Sequence, residues 1–259
     1  MFEQLAMHDQ ACTDIVASAI ADQRMGCVVQ TVWSLNVPED VLYGECLARM
    51  IDLDGEVIAA GAFVPRLEAR GAAPVLDRHM LKLVLDRLEA DPTTVLGCNI
   101  SADNFADATA WSGMLDQIQG RAYLAPRLIL ELTESSAIAD LSLGARKIAD
   151  VQNLGCRVAL DDFGVGFASP RLVQLIDFDI VKIDKAFIHD IRPSSEGSNS
   201  LRHIVAFASC FAPTVVVEGV ESAAQVDVAR AAGATHVQGH LFAMPHARTF
   251  AAPLNAEVS

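Results

Sequence analysis

No apolar run in this chain reaches the roughly 18 residues that a membrane-crossing helix needs. The opening stretch "MFEQLAMHDQ" lacks a basic segment leading into an apolar one, so no secretory signal is expected. None of the six cysteines (Cys12, Cys27, Cys46, Cys98, Cys156, Cys210) forms a C-x-x-C pair. No His or Cys pair has zinc-like spacing, and reduced thiols in a cytoplasmic protein are the expectation. Positive charge is scarce, with 19 Lys and Arg against 33 Asp and Glu, a net charge of −14. Such a surface repels polyanions and argues against a nucleic-acid polymer as partner. It leaves room for a small phosphorylated ligand held by metal ions and a few basic side chains. Low-complexity tracts, charge blocks and fixed-period repeats are also missing. The most loop-like run, "RPSSEGSNS" (192–200), gives no sign of dividing two domains.

What is present is a large supply of core. Of the 259 residues, 52% are hydrophobic and 20% charged, enough for one single-core domain over 1–259. That reading takes about 1–22 as a helical lead-in and about 246–259 as a tail. "GCVVQTVWSL" and "VLYGECLARMI" read as two strands joined through "NVPED", a hairpin with Pro38 in its turn. Apolar residues at 76, 80, 81, 84, 85 and 88 make a helical stripe. Strand-like "TVLGCNI", "RLILELT", "RVALDD", "FDIVKID", "TVVVEG" and "THVQG" then alternate with helical segments. Strand then helix, repeated, implies parallel strands with helical crossovers. About eight strands in a chain of this length fit a (β/α)8 barrel, with a doubly wound open sheet as the competing architecture.

The strand ends carry residues that a buried strand has no packing reason to hold. They are Asn99, Glu131, Asp161 with Asp162, Lys182, Glu218 and Gln238; Glu45 lies on the second hairpin strand and Glu221 just beyond Glu218. In a barrel the C-terminal strand ends form one rim, where sites are built. Five or six carboxylates brought together cannot all stay ionised without cations. Oxygen donors favour hard divalent ions, Mg²⁺ or Mn²⁺. One acid shared between two ions, as Asp161 beside Asp162 suggests, is the arrangement used to cleave phosphate esters. Lys182, the lone cation of the set, could orient a reacting water or neutralise charge on phosphorus.

Taken singly, each residue has an ordinary explanation. Strand-end acids commonly cap helices, and Asp184 precedes a short one. Lysines snorkel from strands. Glu134 and Ser135 could simply begin a helix. Gly164-Val165-Gly166 is a weak phosphate-loop signal, because the acids before it would repel a pyrophosphate, so a nicotinamide-dependent oxidoreductase is the remote alternative. Only the ensemble raises the metal-site reading above these.

The ordered segments "GECLAR", "CNIS", "ELTES", "ALDDFGVGF", "VKIDKAFI", "VVVEGVES" and "VQGHLFAMP" resemble the successive motifs of the EAL domain, the cyclic di-GMP phosphodiesterase family. The resemblance runs from about Gln30 to Pro245. It implies an α/β modified TIM barrel with an antiparallel first strand, and hydrolysis of cyclic di-GMP to linear 5′-pGpG with two Mg²⁺ or Mn²⁺ ions. By the same resemblance Glu45, Asn99, Glu131 and Asp161 would bind the first ion, and Asp161, Asp162 and Glu218 the second. Lys182 would contact the nucleophilic water, with Glu218, Glu221 and Gln238 supporting the surrounding network. Gln30, Arg49 and Asp184 would meet the substrate, and Glu134, Gly164 and Ser169 would anchor the loop after Asp162. A homodimer is implied too, as are sensor or cyclase segments if the chain is part of a longer protein.

The sequence departs from the family pattern in places. Cys46 replaces the usual alanine, Thr31 a proline and Met50 a tryptophan. In the loop, Val165, Phe167 and Ala168 replace threonine, tyrosine and serine. Three hydroxyls are therefore missing, each hydrogen bond being worth roughly 0.5–1.5 kcal/mol. That motivates a second reading, a cyclic di-GMP receptor or protein-interaction module that binds with little or no turnover.

Overall fold

The computed structural model describes residues 9–37, 39–133, 140–165, 170–195 and 197–242. After helix α1 (Asp9–Ala21), strands β1 (Met25–Ser34) and β2 (Val41–Ile51) form an antiparallel hairpin. Pro38, expected in its turn, lies outside the described residues. Strands β4 (Leu96–Ile100), β5 (Leu128–Thr133), β6 (Arg157–Phe163), β7 (Ile180–Ile183), β8 (Thr214–Val217) and β9 (His236–Gln238) follow, each parallel to the one before. β2 is parallel to β4, and β1 runs antiparallel to both β2 and β9. The pairing Val32↔Gln238 and its neighbours closes an eight-stranded barrel, which excludes the open sheet. Closure around an antiparallel first strand is the architecture expected from the sequence.

The short strand β3 (Val57–Ala59) lies beside β2, outside the closed ring. Sequence reading missed it, although Asp54-Gly55 is a strong hairpin signal. Asp52 Oδ1 accepts from the amides of Asp54 and Glu56, and Gly55 supplies a φ of 87°. The apolar stripe at 76–88 is buried on α3 (Ala73–Ala90), which follows α2 (Val64–Glu68). The remaining helices are α4 (Asp103–Ala106), α5 (Ala108–Gln119), α6 (Leu141–Asn153), α7 (Pro170–Leu175), α8 (Ala186–His189), α9 (Ser200–Ala208) and α10 (Ala223–Ala232). The helix over "SLRHIVAFASCFA" stops earlier than the sequence suggests, at Ala208. Ser222 and Gln225 form a reciprocal capping box at the start of α10, and Gly233 ends it in the left-handed region.

The main core lies between strands and helices, while a second, smaller cluster fills the barrel. It comprises Val32, Tyr43, Ile129, Ala159, Ile180 and Val216. Side chains two apart on a strand share a face. Tyr43, Ile129, Ala159, Ile180 and Val216 each lie two residues before Glu45, Glu131, Asp161, Lys182 and Glu218. An apolar layer thus carries a polar layer above it, at the C-terminal end of the parallel strands. Cys12, Cys27, Cys46, Cys98 and Cys156 are buried, Cys210 is exposed, and none is in a disulfide. Among the described residues, no helix is long and apolar enough to cross a membrane.

Asp77 ties α3 to the exit of β4. Its buried Oδ2 accepts from the Ser101 amide at 2.8 Å and from Asn104 Nδ2 at 2.6 Å, and burial pushes its carboxyl up to about 7. Ser101 follows Asn99 by two residues, so this contact fixes the end of the strand that presents Asn99. Replacing Asp77 with Ala leaves the buried Ser101 amide without its side-chain acceptor and Asn104 Nδ2 with only the Ser101 carbonyl, at an expected cost of about 2–4 kcal/mol. Urea denaturation of the D77A variant checks this, with a shift in midpoint at unchanged slope as the expected result.

Candidate active site at the strand ends

Lys182, on β7, is fully buried, with 0% of its side chain exposed. Its Nζ lies 3.0 Å from Glu45 Oε2 on β2 and 2.9 Å from Glu131 Oε2 on β5. Asp161 Oδ1 on β6 and Glu218 Oε1, just after β8, are each 2.9 Å away. Asn99 Nδ2 donates to Glu45 Oε1 at 2.8 Å and Gln238 Nε2 to Glu45 Oε2 at 2.7 Å. Seven of the residues singled out in the sequence therefore meet in one network drawn from seven strands.

Asp162 joins them by a local irregularity. Consecutive strand residues normally face opposite sides of a sheet. Between β6 and β7 the register shifts, from Leu160↔Val181 to Phe163↔Ile183, so β6 carries one extra residue. Asp162 occupies that bulge with a φ of 55°, a left-handed conformation that asparagine and aspartate tolerate better than most. The extra residue keeps the two neighbouring acids on the same site. Carboxylate oxygens of Glu45, Glu131 and Asp161 lie within 4.8 Å of one another, and so do those of Asp161, Asp162 and Glu218. Asp161 belongs to both groups.

The electrostatics follow from burial. Desolvation alone would push the Lys182 ammonium down, but the four carboxylates, Asp161 foremost, hold it well above its ordinary value. Glu45 is desolvated too, yet the charge of Lys182 and the amides of Asn99 and Gln238 keep it below the usual carboxylate range. The remaining acids go the other way. Burial, then the charge of Glu45, pushes Glu131 up to about 8. Burial and Asp161 push Asp162 up to about 6 and Glu218 well above its ordinary value. One ammonium is too little charge for this many acids. Protons or further cations must supply the rest. The donor set suits a hard divalent ion, because it consists of oxygens and includes Glu131 Oε1 and Gln238 Oε1, both buried without a hydrogen-bond partner.

A cavity of about 280 Å³ opens beside the acids. Gln30, Asp162, Asp184, Glu218, Glu221 and Gln238 all line it. Lys185 and His240 line it as well, two residues that sequence reading did not single out; each directly follows a residue or segment that it did. Asp184 is partly engaged elsewhere, its Oδ1 accepting from the Ala186 amide at 2.8 Å, which fits the helix-start explanation. Arg49 is not among the lining residues; its Nη1 donates to the Ala48 carbonyl at 2.8 Å. Gly164 has a φ of 107°, and a Cβ there would come within 2.5 Å of the Phe187 ring. Its glycine is thus required by packing, whatever else the loop does. Glu134 and Ser169 lie outside the described residues, as do Phe167 and Ala168, while Val165 is 56% exposed.

The EAL domain family model matches residues 14–245. Among curated proteins, the cyclic di-GMP phosphodiesterase PdeF of Escherichia coli is 28% identical over 211 residues, covering 79% of this chain and 28% of PdeF. A phosphodiesterase structure described as PaMucR in complex with c-di-GMP superposes with a TM-score of 0.75 at 24% identity, covering 91% of this chain and 97% of that one. An EAL domain protein from Listeria monocytogenes gives 0.74 at 21% identity, covering 90% and 93%. The chain spans 34% of the length of a similar Mycobacterium tuberculosis protein and 28% of PdeF, about a third or less.

The raised carboxyls give stability a definite pH dependence. Glu131 rises from 4.5 to about 8 and Asp162 from 3.8 to about 6, so the folded state holds more protons than the unfolded state between those values. Stability of metal-free protein therefore falls as pH rises through that window. Divalent ions would replace the protons and flatten the fall, while Asp77, which belongs to neither acid group, keeps its own share. Thermal melts from about pH 5 to pH 8, in chelator and in millimolar Mn²⁺, check this; parallel curves are the contrary result.

Proposed function

Because this chain belongs to the EAL domain family, we propose that it hydrolyses cyclic di-GMP to linear 5′-pGpG with two divalent ions, Mg²⁺ or Mn²⁺. The observation that carries the reading is the pair of acid groups sharing Asp161 around buried Lys182. Glu45, Asn99, Glu131 and Asp161 would hold one ion, and Asp161, Asp162 and Glu218 the other. When bound, such ions neutralise the phosphodiester and lower the pKa of attacking water.

The chain's own groups supply the rest. Lys182 Nζ, kept protonated by its carboxylates, would orient the water and offset charge developing at phosphorus. Gln238 Oε1, buried and without a partner, is an acceptor for a water proton, and Glu221 stands at the cavity where that network would extend. Gln30 and Asp184 line the space the guanylate would enter, Lys185 adds a positive group at its edge, and His240 adds an imidazole. Arg49 would have to leave the Ala48 carbonyl to reach a phosphate. Gly164, with Glu134 and Ser169, would hold the loop after Asp162. The reading extends to a cytoplasmic homodimer built on one barrel domain, with sensor or cyclase segments if the chain is part of a longer protein. The chain's small share of its relatives' length supports that last part.

Purified protein with Mg²⁺ or Mn²⁺ should release pGpG, followed by chromatography. Glu45→Ala and Lys182→Ala should each lower the rate by about 100-fold or more. Calorimetric binding of cyclic di-GMP without product would instead mark the chain as a receptor.

A further inference from the structure

Tyr43 carries a hydroxyl into the apolar layer beneath the acids, whose other buried members among the described residues are Val32, Ile129, Ala159, Ile180 and Val216. It is 1% exposed, and a phenol so placed needs a hydrogen-bond partner. The partner is Glu131: the Tyr43 hydroxyl donates to Oε2 at 2.8 Å. Lys182 Nζ reaches the same oxygen at 2.9 Å. Oε1 of that carboxylate is buried and has no hydrogen-bond partner. One oxygen is thus held from two directions and the other is buried without a hydrogen bond.

The neighbouring strand makes room for this. Gly97 on β4 pairs with Glu45 on one side and Ile129 on the other, so it lies between the strands that carry Tyr43 and Glu131. A Cβ on Gly97 would overlap Glu131 Oε1 and come within 2.7 Å of Tyr43 Cε2. The large ring on β2 and the missing side chain on β4 compensate each other, and the carboxylate fills the gap. Such an arrangement leaves Glu131 little freedom to rotate.

We infer that Tyr43 is a positioning residue for Glu131, its hydroxyl holding the carboxylate in the group with Glu45 and Asp161 that would bind the first divalent ion. The inference rests on the metal-dependent function proposed above. Partners that fix a ligating carboxylate contribute through the ion's affinity, and their loss typically costs 10–100-fold. The phenol would act on ion binding, with little effect on the reaction once the site is filled.

The test is Tyr43→Phe, which removes only the hydroxyl, studied by calorimetric titration with Mn²⁺ and by the Mn²⁺ dependence of pGpG release. The expected result is a Kd for Mn²⁺ raised about 10-fold or more, with pGpG release recovering to near the unsubstituted rate at saturating Mn²⁺. In a Glu131→Gln background, where the carboxylate is already gone, the same substitution should change Mn²⁺ affinity little. Unchanged Mn²⁺ affinity with a lower melting temperature in chelator would overturn the inference, marking a purely structural hydroxyl. An equal loss of affinity in both backgrounds would overturn it too, since the effect would not pass through Glu131. Failure of the unsubstituted protein to bind Mn²⁺ would overturn the proposed function and the inference with it.

Discussion

A single ammonium, Lys182 Nζ, sits within 3.0 Å of four carboxylates from four different parts of the barrel. A buried charge of this kind costs several kcal/mol unless it is paired, and so does each buried acid. The network is therefore tolerable only if the strands bearing Glu45, Glu131, Asp161 and Lys182, and the turn bearing Glu218, reach the same height together. A slip of one residue in any strand would turn its polar group to the outer face and bring an apolar neighbour inward. The charge network and the strand register depend on each other. The apolar layer below, from Val32 to Val216, excludes water from one side and makes every interaction above it stronger.

Two departures from regular geometry adapt this frame to chemistry. The bulge in β6 lets Asp161 and Asp162 serve one site, with the left-handed backbone of Asp162 as its local cost. The gap at Gly97 lets a tyrosine ring and a glutamate share space on the inner face of the barrel. Both lie beside the acids. Elsewhere the fold is held by ordinary means, such as the capping box of α10 and the buried stripe of α3.

Much of the fold was legible in the sequence because its periods are local. The stripe of α3 and the short apolar runs of β5 and β7 follow from neighbours a few residues apart. The strand-end polar residues stood out for the same reason, since buried strands have no packing use for them. Tyr43 did not stand out, because an aromatic in a strand reads as core and its hydroxyl has no partner nearby in sequence. Lys185 and His240 were hidden by ordinary exposure. β3 was overlooked for its brevity, despite the Asp54-Gly55 turn. Arg49 was assigned by motif alone; its Nη1 donates to the Ala48 carbonyl on its own strand.

The sequence by itself determined which chemical groups the chain could bring to a site, acids, amides and one lysine, and that strand-helix alternation would place them at strand ends. It did so because side-chain direction along a strand has a period of two residues, which can be read without knowing what the strand pairs with. Only the tertiary structure decided which groups touch. Tyr43 meets Glu131 across 88 positions, over the Gly97 gap in the strand between them, and Lys182 meets Glu45 across 137, a contact between strands that the closed ring brings face to face. The bulge that brings Asp162 to the same side as Asp161 is likewise visible only in the register between two strands. Local periodicity is written in neighbouring residues, whereas closure and register are set by the packing of the whole barrel.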